Sequence, residues 1–208
     1  MSYGYKNISN NSVRRAFITH EYIWWDDVFS SEELDKICEI SAEVDLREGT
    51  TLGNSLSDYR ISDNNFHHRT EKNSWIFERL NGLIEHVNNE FYNYDLNGYE
   101  FYQYSEYDAS KNGQYKYHYD MASNGSNINT KDATLETRKL SLALLLNEPG
   151  VDFKGGEFAF KTGEDDLYTV PKRGRAFLFP SYVLHKVFPV TEGIRKSLVV
   201  WVTGPKFK

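Results

Sequence analysis

The sequence predicts a mainly β fold with N-terminal helices, a jelly roll by its strand count, and three features carry that expectation. Aromatic residues make up 15% of the 208 residues, with 15 Tyr and 13 Phe, and such side chains suit half-buried pleated strands better than helices. From Tyr99 onward, short aromatic and β-branched runs alternate with the turn clusters Lys111-Asn112-Gly113, Glu148-Pro149-Gly150 and Lys172-Arg173-Gly174, the pattern of a sandwich or barrel. Helical periodicity is confined to the chain before Tyr99.

Taken in order, Ser30 and Glu33 have the spacing of a capping box, and Leu34, Ile37, Ile40 and Val44 recur at helical intervals, so a helix is expected from Ser30 to about Leu46. Residues 47–72 are rich in Ser, Asn, Asp and Gly and are expected as a loop. A second amphipathic helix is expected from Asn73 to Phe91, with Ile76, Leu80, Leu83, Ile84 and Val87 on its apolar face. Strands are expected at 99–107, 114–120, 138–146, 157–160, 167–170, 175–179, 183–190 and 195–203; eight short strands suit a jelly roll. The polar stretch 122–137 has almost nothing to bury. A loop of that length in a compact domain is usually either functional or disordered, and the functional reading of it is a lid over the site. The length fits one domain over 1–208.

Composition removes several function classes. A formal charge of −6 gives no general attraction to phosphate backbones, so nucleic acid is not an expected partner. The single cysteine, Cys38, can form neither an internal disulfide nor a CxxC knuckle, which points to a reducing compartment. Residues 1–11 lack the apolar stretch of a secretory signal, and the longest apolar run, around Leu140 to Leu146, is too short to span a bilayer. A cytoplasmic location without membrane association is expected. The sequence carries no signal for an oligomeric state.

Three places carry chemistry. In Tyr115-Lys116-Tyr117-His118-Tyr119-Asp120, the period of two puts His118 and Asp120 on one face of a strand. His185 lies among apolar neighbours, and a buried imidazole needs a partner. Two His and one carboxylate form a facial metal triad with positions left open. Arg195 opens the last apolar strand with Ser197 on the same face, and a guanidinium beside a hydroxyl can grip a carboxylate. Taken singly, each has an ordinary explanation: a surface His-Asp pair, a core histidine satisfied by a hydrogen bond, a strand-edge arginine facing water.

The order of these residues resembles the Fe(II)- and 2-oxoglutarate-dependent oxygenases of the prolyl 4-hydroxylase type. Arg138-Lys139-Leu140-Ser141, Gly155-Gly156-Glu157-Phe158, Phe179-Pro180-Ser181, His185-Lys186-Val187-Phe188-Pro189-Val190 and Trp201-Val202-Thr203-Gly204-Pro205 resemble the bacterial PKHD-type hydroxylases in particular. The resemblance covers residues 99–205 and implies a double-stranded β-helix, with 99–205 as catalytic core and 1–98 as helical support. It implies iron ligands at His118, Asp120 and His185, and 2-oxoglutarate held by Arg195, Ser197 and, as the nearest match to a tyrosine of the family, Tyr107. It further implies a substrate lined by Tyr115, Arg138 and Trp201, with dioxygen as cosubstrate and ascorbate as reductant. Collagen-type prolyl hydroxylases carry Lys where this chain has Arg195. The implied reaction is hydroxylation of a C–H bond of a prolyl residue in a peptide or protein, with release of succinate and CO2. The alternatives are the same chemistry on a non-prolyl or small-molecule substrate, and a non-catalytic metal-binding jelly-roll module.

Overall fold

The computed structural model describes residues 21–49, 58–121 and 136–206. Strands are β1 (Ile23–Trp25), β2 (Arg47–Glu48), β3 (Arg60–Ile61), β4 (Asp63–His68), β5 (Phe101–Asp108), β6 (Gln114–His118), β7 (Thr137–Leu145), β8 (Phe153–Gly155), β9 (Phe158–Lys161), β10 (Asp166–Tyr168), β11 (Ala176–Pro180), β12 (Leu184–Val187) and β13 (Val190–Gly204). Helices are α1 (Ser31–Ala42) and α2 (Ser74–Val87), the latter extended by a π turn over Asn88–Tyr92. A major sheet runs β1-β11-β7-β13-β5-β4-β2, with β8 also paired to β13, and a minor sheet runs β10-β9-β12-β6-β3. Where register is resolved, named strands pair antiparallel.

The period of two explains how the major sheet serves two cores. Leu140, Leu142 and Leu144 of β7, Leu198, Val200 and Val202 of β13, and Tyr102 and Tyr104 of β5 are buried in one cluster with Leu34, Ile37 and Ile40 of α1 and Ile76, Leu80 and Val87 of α2. The intervening residues belong to the space between the sheets. Leu145, Phe177, Phe179 and Tyr107 pack there against Phe158, Phe160 and Val187 of the minor sheet, and Ala143, Arg195, Ser197, Val199 and Trp201 line an open cleft. The helices thus brace one face of the sheet that carries the site on the other.

The capping box forms as read: Glu33 N–H donates to Ser30 Oγ, and Ser30 N–H to Glu33 Oε2. The helix ends earlier than expected, at Ala42, leaving Val44 and Leu46 exposed. All eight expected strands are present with shifted ends. The loop expectation for 47–72 is corrected, because Asp63–His68 is a strand paired along its length to β5. Its polarity misleads because its buried polar groups are satisfied. Asn65 Nδ2 donates to the carbonyls of Ser41 and Val44, and Asn65 Oδ1 meets His67 Nε2 at 2.8 Å. The expected lid lies outside the described residues except for Glu136 and Thr137, and Thr137 already belongs to β7. Among the described residues, no helix is long and apolar enough to cross a membrane.

The segment before α1 is anchored by charge. Asp26 accepts from Arg175 Nε at 2.7 Å and Nη2 at 2.8 Å, and from Lys172 Nζ at 3.2 Å. Arg175 above all holds the Asp26 carboxyl at about 2, below its ordinary 3.8. A depressed carboxyl stabilises the fold above its unfolded value and loses that contribution as pH falls through the folded one. Asp26→Asn is therefore expected to cost about 1 kcal/mol at neutral pH, allowing for partial exposure. Urea unfolding should show the wild-type advantage shrinking below pH 4 and vanishing near pH 2.

Candidate metal centre and cleft

His118 ends β6, and β12 places His185 directly across from it in register. Asp120 lies past the end of β6, so the expectation that it shares a strand with His118 is corrected. The backbone N–H groups of Asp120 and Met121 both donate to the Ser181 carbonyl, at 2.9 and 2.8 Å, and this turns the carboxylate inward. One ligand atom from each of His118, Asp120 and His185 lies within 4.8 Å of the others.

The hydrogen bonds of the two imidazoles decide what they can do. His118 Nδ1 lies 2.8 Å from the Lys116 carbonyl and His185 Nδ1 lies 2.9 Å from the Val183 carbonyl. A carbonyl only accepts, so each Nδ1 carries the proton and each Nε2 offers a lone pair. Both Nε2 atoms face Asp120, His118 at 3.7 Å from Oδ1 and His185 at 3.5 Å from Oδ2. Those separations are too long for hydrogen bonds. Burial, followed by the neighbouring His185, pushes the His118 imidazole down to about 3, so it is neutral at pH 7. Burial opposes the Asp120 charge, but His185, His118, Ser141 and Arg138 outweigh it and keep the carboxyl below its ordinary value. Two imidazoles and one carboxylate, with Phe158 and Phe179 against His185, fit a divalent transition ion that keeps open positions.

From this triad a cleft opens between the sheets. Tyr107, Tyr115, His118, Asp120, His185, Arg195, Ser197 and Trp201 line it together. Arg195 is 6% exposed, faces Tyr107 across the β5–β13 ladder and stands 5.6 Å above that ring. Burial lowers the pKa of its guanidinium, and no described carboxylate lies within ion-pair distance of it. A buried charge of this kind calls for an anionic ligand. Arg138 is the sequence-selected residue that does not line the cleft; it packs 4.1 Å from the Trp201 ring, which does. The Trp201 Nε1–H is buried without an acceptor among the described residues.

Gly156 makes room for the arginine. Gly156 has φ +65°, and a Cβ there would lie 2.9 Å from Arg195 Cδ and from Val190 Cγ2. Gly156→Ala is expected to lower the unfolding free energy by about 2 kcal/mol through backbone strain and displacement of Arg195; a change under about 0.5 kcal/mol in urea unfolding would refute this reading.

Two polar lining residues escape sequence reading, Arg60 of β3 and Gln103 of β5. Arg60 lies in the stretch expected as loop. Gln103 is buried and donates to Ser105 Oγ at 2.7 Å; its only sequence signal is its alternation with Tyr102 and Tyr104.

Residues 102–203 match the model of the 2OG-Fe(II) oxygenase superfamily. That segment takes in His118, Asp120, His185, Arg195 and Ser197, and over it the chain is similar to that superfamily. Curated relatives include a PKHD-type hydroxylase of Alteromonas mediterranea, 34% identical over 93 residues that make up 45% of this chain and 39% of that protein. Another PKHD-type hydroxylase, from a Synechococcus strain, is 41% identical over 64 residues, 30% of this chain and 28% of the relative. The matched segments thus span well under half of these relatives. A prolyl-4-hydroxylase of Pseudomonas putida superposes with a TM-score of 0.69 at 18% identity, covering 90% of this chain and 94% of that one. A prolyl hydroxylase of Trichoplax adhaerens, solved with a hypoxia inducible factor peptide fragment, superposes with a TM-score of 0.70 at 18% identity over 89% of this chain and 84% of that one. At those identities the superpositions establish the fold, a double-stranded β-helix of the oxygenase type.

Proposed function

We propose that the chain is an Fe(II)- and 2-oxoglutarate-dependent oxygenase that hydroxylates a C–H bond, with residues 99–205 as its catalytic core and residues 1–98 as its helical support. The observation that carries this reading is the pair of Nδ1–carbonyl bonds, which free both Nε2 atoms toward Asp120. When bound, iron and 2-oxoglutarate supply the oxidant: O2 is consumed, 2-oxoglutarate leaves as succinate and CO2, and a substrate C–H becomes C–OH.

The chain's own residues supply position and exclusion of water. His118, His185 and Asp120 would hold the ion on one side only. Arg195, with Ser197 two residues on along the same face of β13, would take the far carboxylate of 2-oxoglutarate, and Tyr107 would close that end of the cleft. Phe158, Phe160 and Phe179 keep the ring of His185 dry. Tyr115 stacks on His118 with ring centroids 3.4 Å apart, fixing the imidazole plane while its hydroxyl, pushed up to about 12 mainly by burial, stays protonated. Tyr115 and Trp201 would flank the substrate.

A prolyl residue of a peptide or protein is the substrate we favour, by analogy with the prolyl hydroxylases sharing the fold. The test incubates the protein with Fe(II), 2-oxoglutarate, ascorbate and a panel of proline-containing peptides, reading peptide mass and succinate together. One added oxygen on proline with an equimolar amount of succinate is the expected result. Succinate without any oxidised proline would remove the prolyl assignment and leave the oxygenase reading.

A further inference from the structure

Two further guanidiniums, one lining the cleft and one behind it, stand on rings that line it. Arg60, on β3 of the minor sheet, stands 4.9 Å from the Tyr115 ring. Arg138, on β7 of the major sheet, stands 4.1 Å from the Trp201 ring. Tyr115 and Trp201 both line the cleft and lie on opposite sheets, so each wall presents an aromatic ring with a guanidinium on it. Arg60 Nε and Nη2 donate to Ser62 Oγ at 3.0 Å and Asn64 Oδ1 at 2.8 Å. Those partners are neutral: they orient the guanidinium without cancelling its charge. Among the described residues, no carboxylate comes within ion-pair distance of Arg60 or Arg138.

Charge complementarity then says what is missing. Under the function proposed above, on which this argument rests, a divalent cation and a dicarboxylate cancel each other, and Asp120, which favours the charged form of Arg138, answers one of the three guanidiniums Arg60, Arg138 and Arg195. Three guanidiniums against one carboxylate leave two positive charges unanswered around the cleft, in a protein whose overall charge is −6. The repulsion between Arg60 and Arg138 opposes the ionised state of Arg138, already disfavoured chiefly by its burial, so a bound anion would relieve both. A low-dielectric cleft focuses such a field on an incoming ligand.

We propose that Arg60 and Arg138, set on the Tyr115 and Trp201 rings, form a subsite for a carboxylate of the substrate, so that this chain selects an acidic substrate. Arg60 is a specificity-determining residue in this scheme. The carboxylate can be an aspartyl or glutamyl side chain or a free peptide C-terminus; the chemistry is shared, and the experiment separates the two.

The probes are three blocked peptides: acetyl-Gly-Pro-Asp-amide, acetyl-Gly-Pro-Asn-amide, and acetyl-Gly-Pro-Asn with a free C-terminus. Each is titrated by calorimetry into metal-free protein, and into protein loaded with Mn(II) and 2-oxoglutarate, so the readout is binding and not turnover. At least one carboxylate-bearing peptide is expected to bind about tenfold tighter than the neutral amide, with the advantage falling as salt is added. Which of the two does so identifies the source of the carboxylate. Arg60→Gln should abolish the preference and Arg60→Lys should restore part of it, with circular dichroism confirming that both variants fold. Equal binding of all three peptides, no binding by any of them, or a preference that survives Arg60→Gln would overturn the proposal. If Mn(II) and 2-oxoglutarate fail to bind, the proposed function fails, yet the comparison in metal-free protein still decides the subsite.

Discussion

Asp120→Ala is expected to lower affinity for Fe(II) by more than about a hundredfold while leaving the metal-free protein as stable as wild type to within about 1 kcal/mol. The two parts come from one observation. Asp120 is 6% exposed, and its oxygens stand 3.5 Å or more from both imidazole Nε2 atoms, beyond hydrogen-bond reach. Its removal strands no partner, because the Ser141 hydroxyl that favours its charge keeps a bond to Ser181 Oγ and each imidazole keeps its Nδ1–carbonyl bond, while the burial cost of the carboxylate is removed along with the attraction it had. The fold also keeps the loop in place by other means, since the Asp120 and Met121 backbone N–H groups remain bonded to Ser181. A purely structural aspartate would behave in the opposite way, with stability lost and metal binding untouched. Anaerobic calorimetry with Fe(II), alongside urea unfolding of the metal-free variant, separates the two.

Arg195→Gln is expected to weaken 2-oxoglutarate by about a hundredfold, the scale on which loss of one member of a buried charge pair is felt. Arg195 is buried on every side, its guanidinium meets the Tyr107 ring, and Gly156 is kept without a side chain to let it pass. The ligand-free protein carries the desolvation cost of that charge without an anion to offset it. Stability of the ligand-free variant should therefore stay level or rise, and the stabilisation that 2-oxoglutarate gives the wild type should disappear. Arg195→Lys keeps the charge but not the planar fork, and an intermediate loss of about tenfold is expected. Thermal unfolding across a 2-oxoglutarate titration reads all three proteins; an undiminished shift in the glutamine variant would remove Arg195 from the binding account.

Much of the fold was legible because the C-terminal half of the chain is built from local pattern. Alternation alone put Arg195 and Ser197 on one face of β13 and Leu198, Val200 and Val202 on the other, and the structure sends the first pair to the cleft and the second set to the helices. His118 and Asp120 do meet His185, but not by alternation alone, because the inward turn of Asp120 comes from bonds to Ser181, some sixty residues away. The pairing of His118 with His185 and of Tyr107 with Arg195 is cross-strand register, which no local period encodes. The N-terminal half was harder to read. The polar side chains of β4 look like loop until Ser41 and Val44 are known to accept from Asn65. Arg60 reaches the cleft only because β3 pairs with β6 at Tyr115.

The most direct test of the account is succinate formation by purified protein given Fe(II), 2-oxoglutarate, ascorbate and O2, beside Asp120→Ala and Arg195→Gln prepared identically and shown to be folded. The account predicts iron-dependent succinate from the wild type and none above background from either variant. Absence of iron-dependent succinate from the wild type, or equal turnover by Asp120→Ala, would contradict it and leave the triad as a site without oxygenase chemistry.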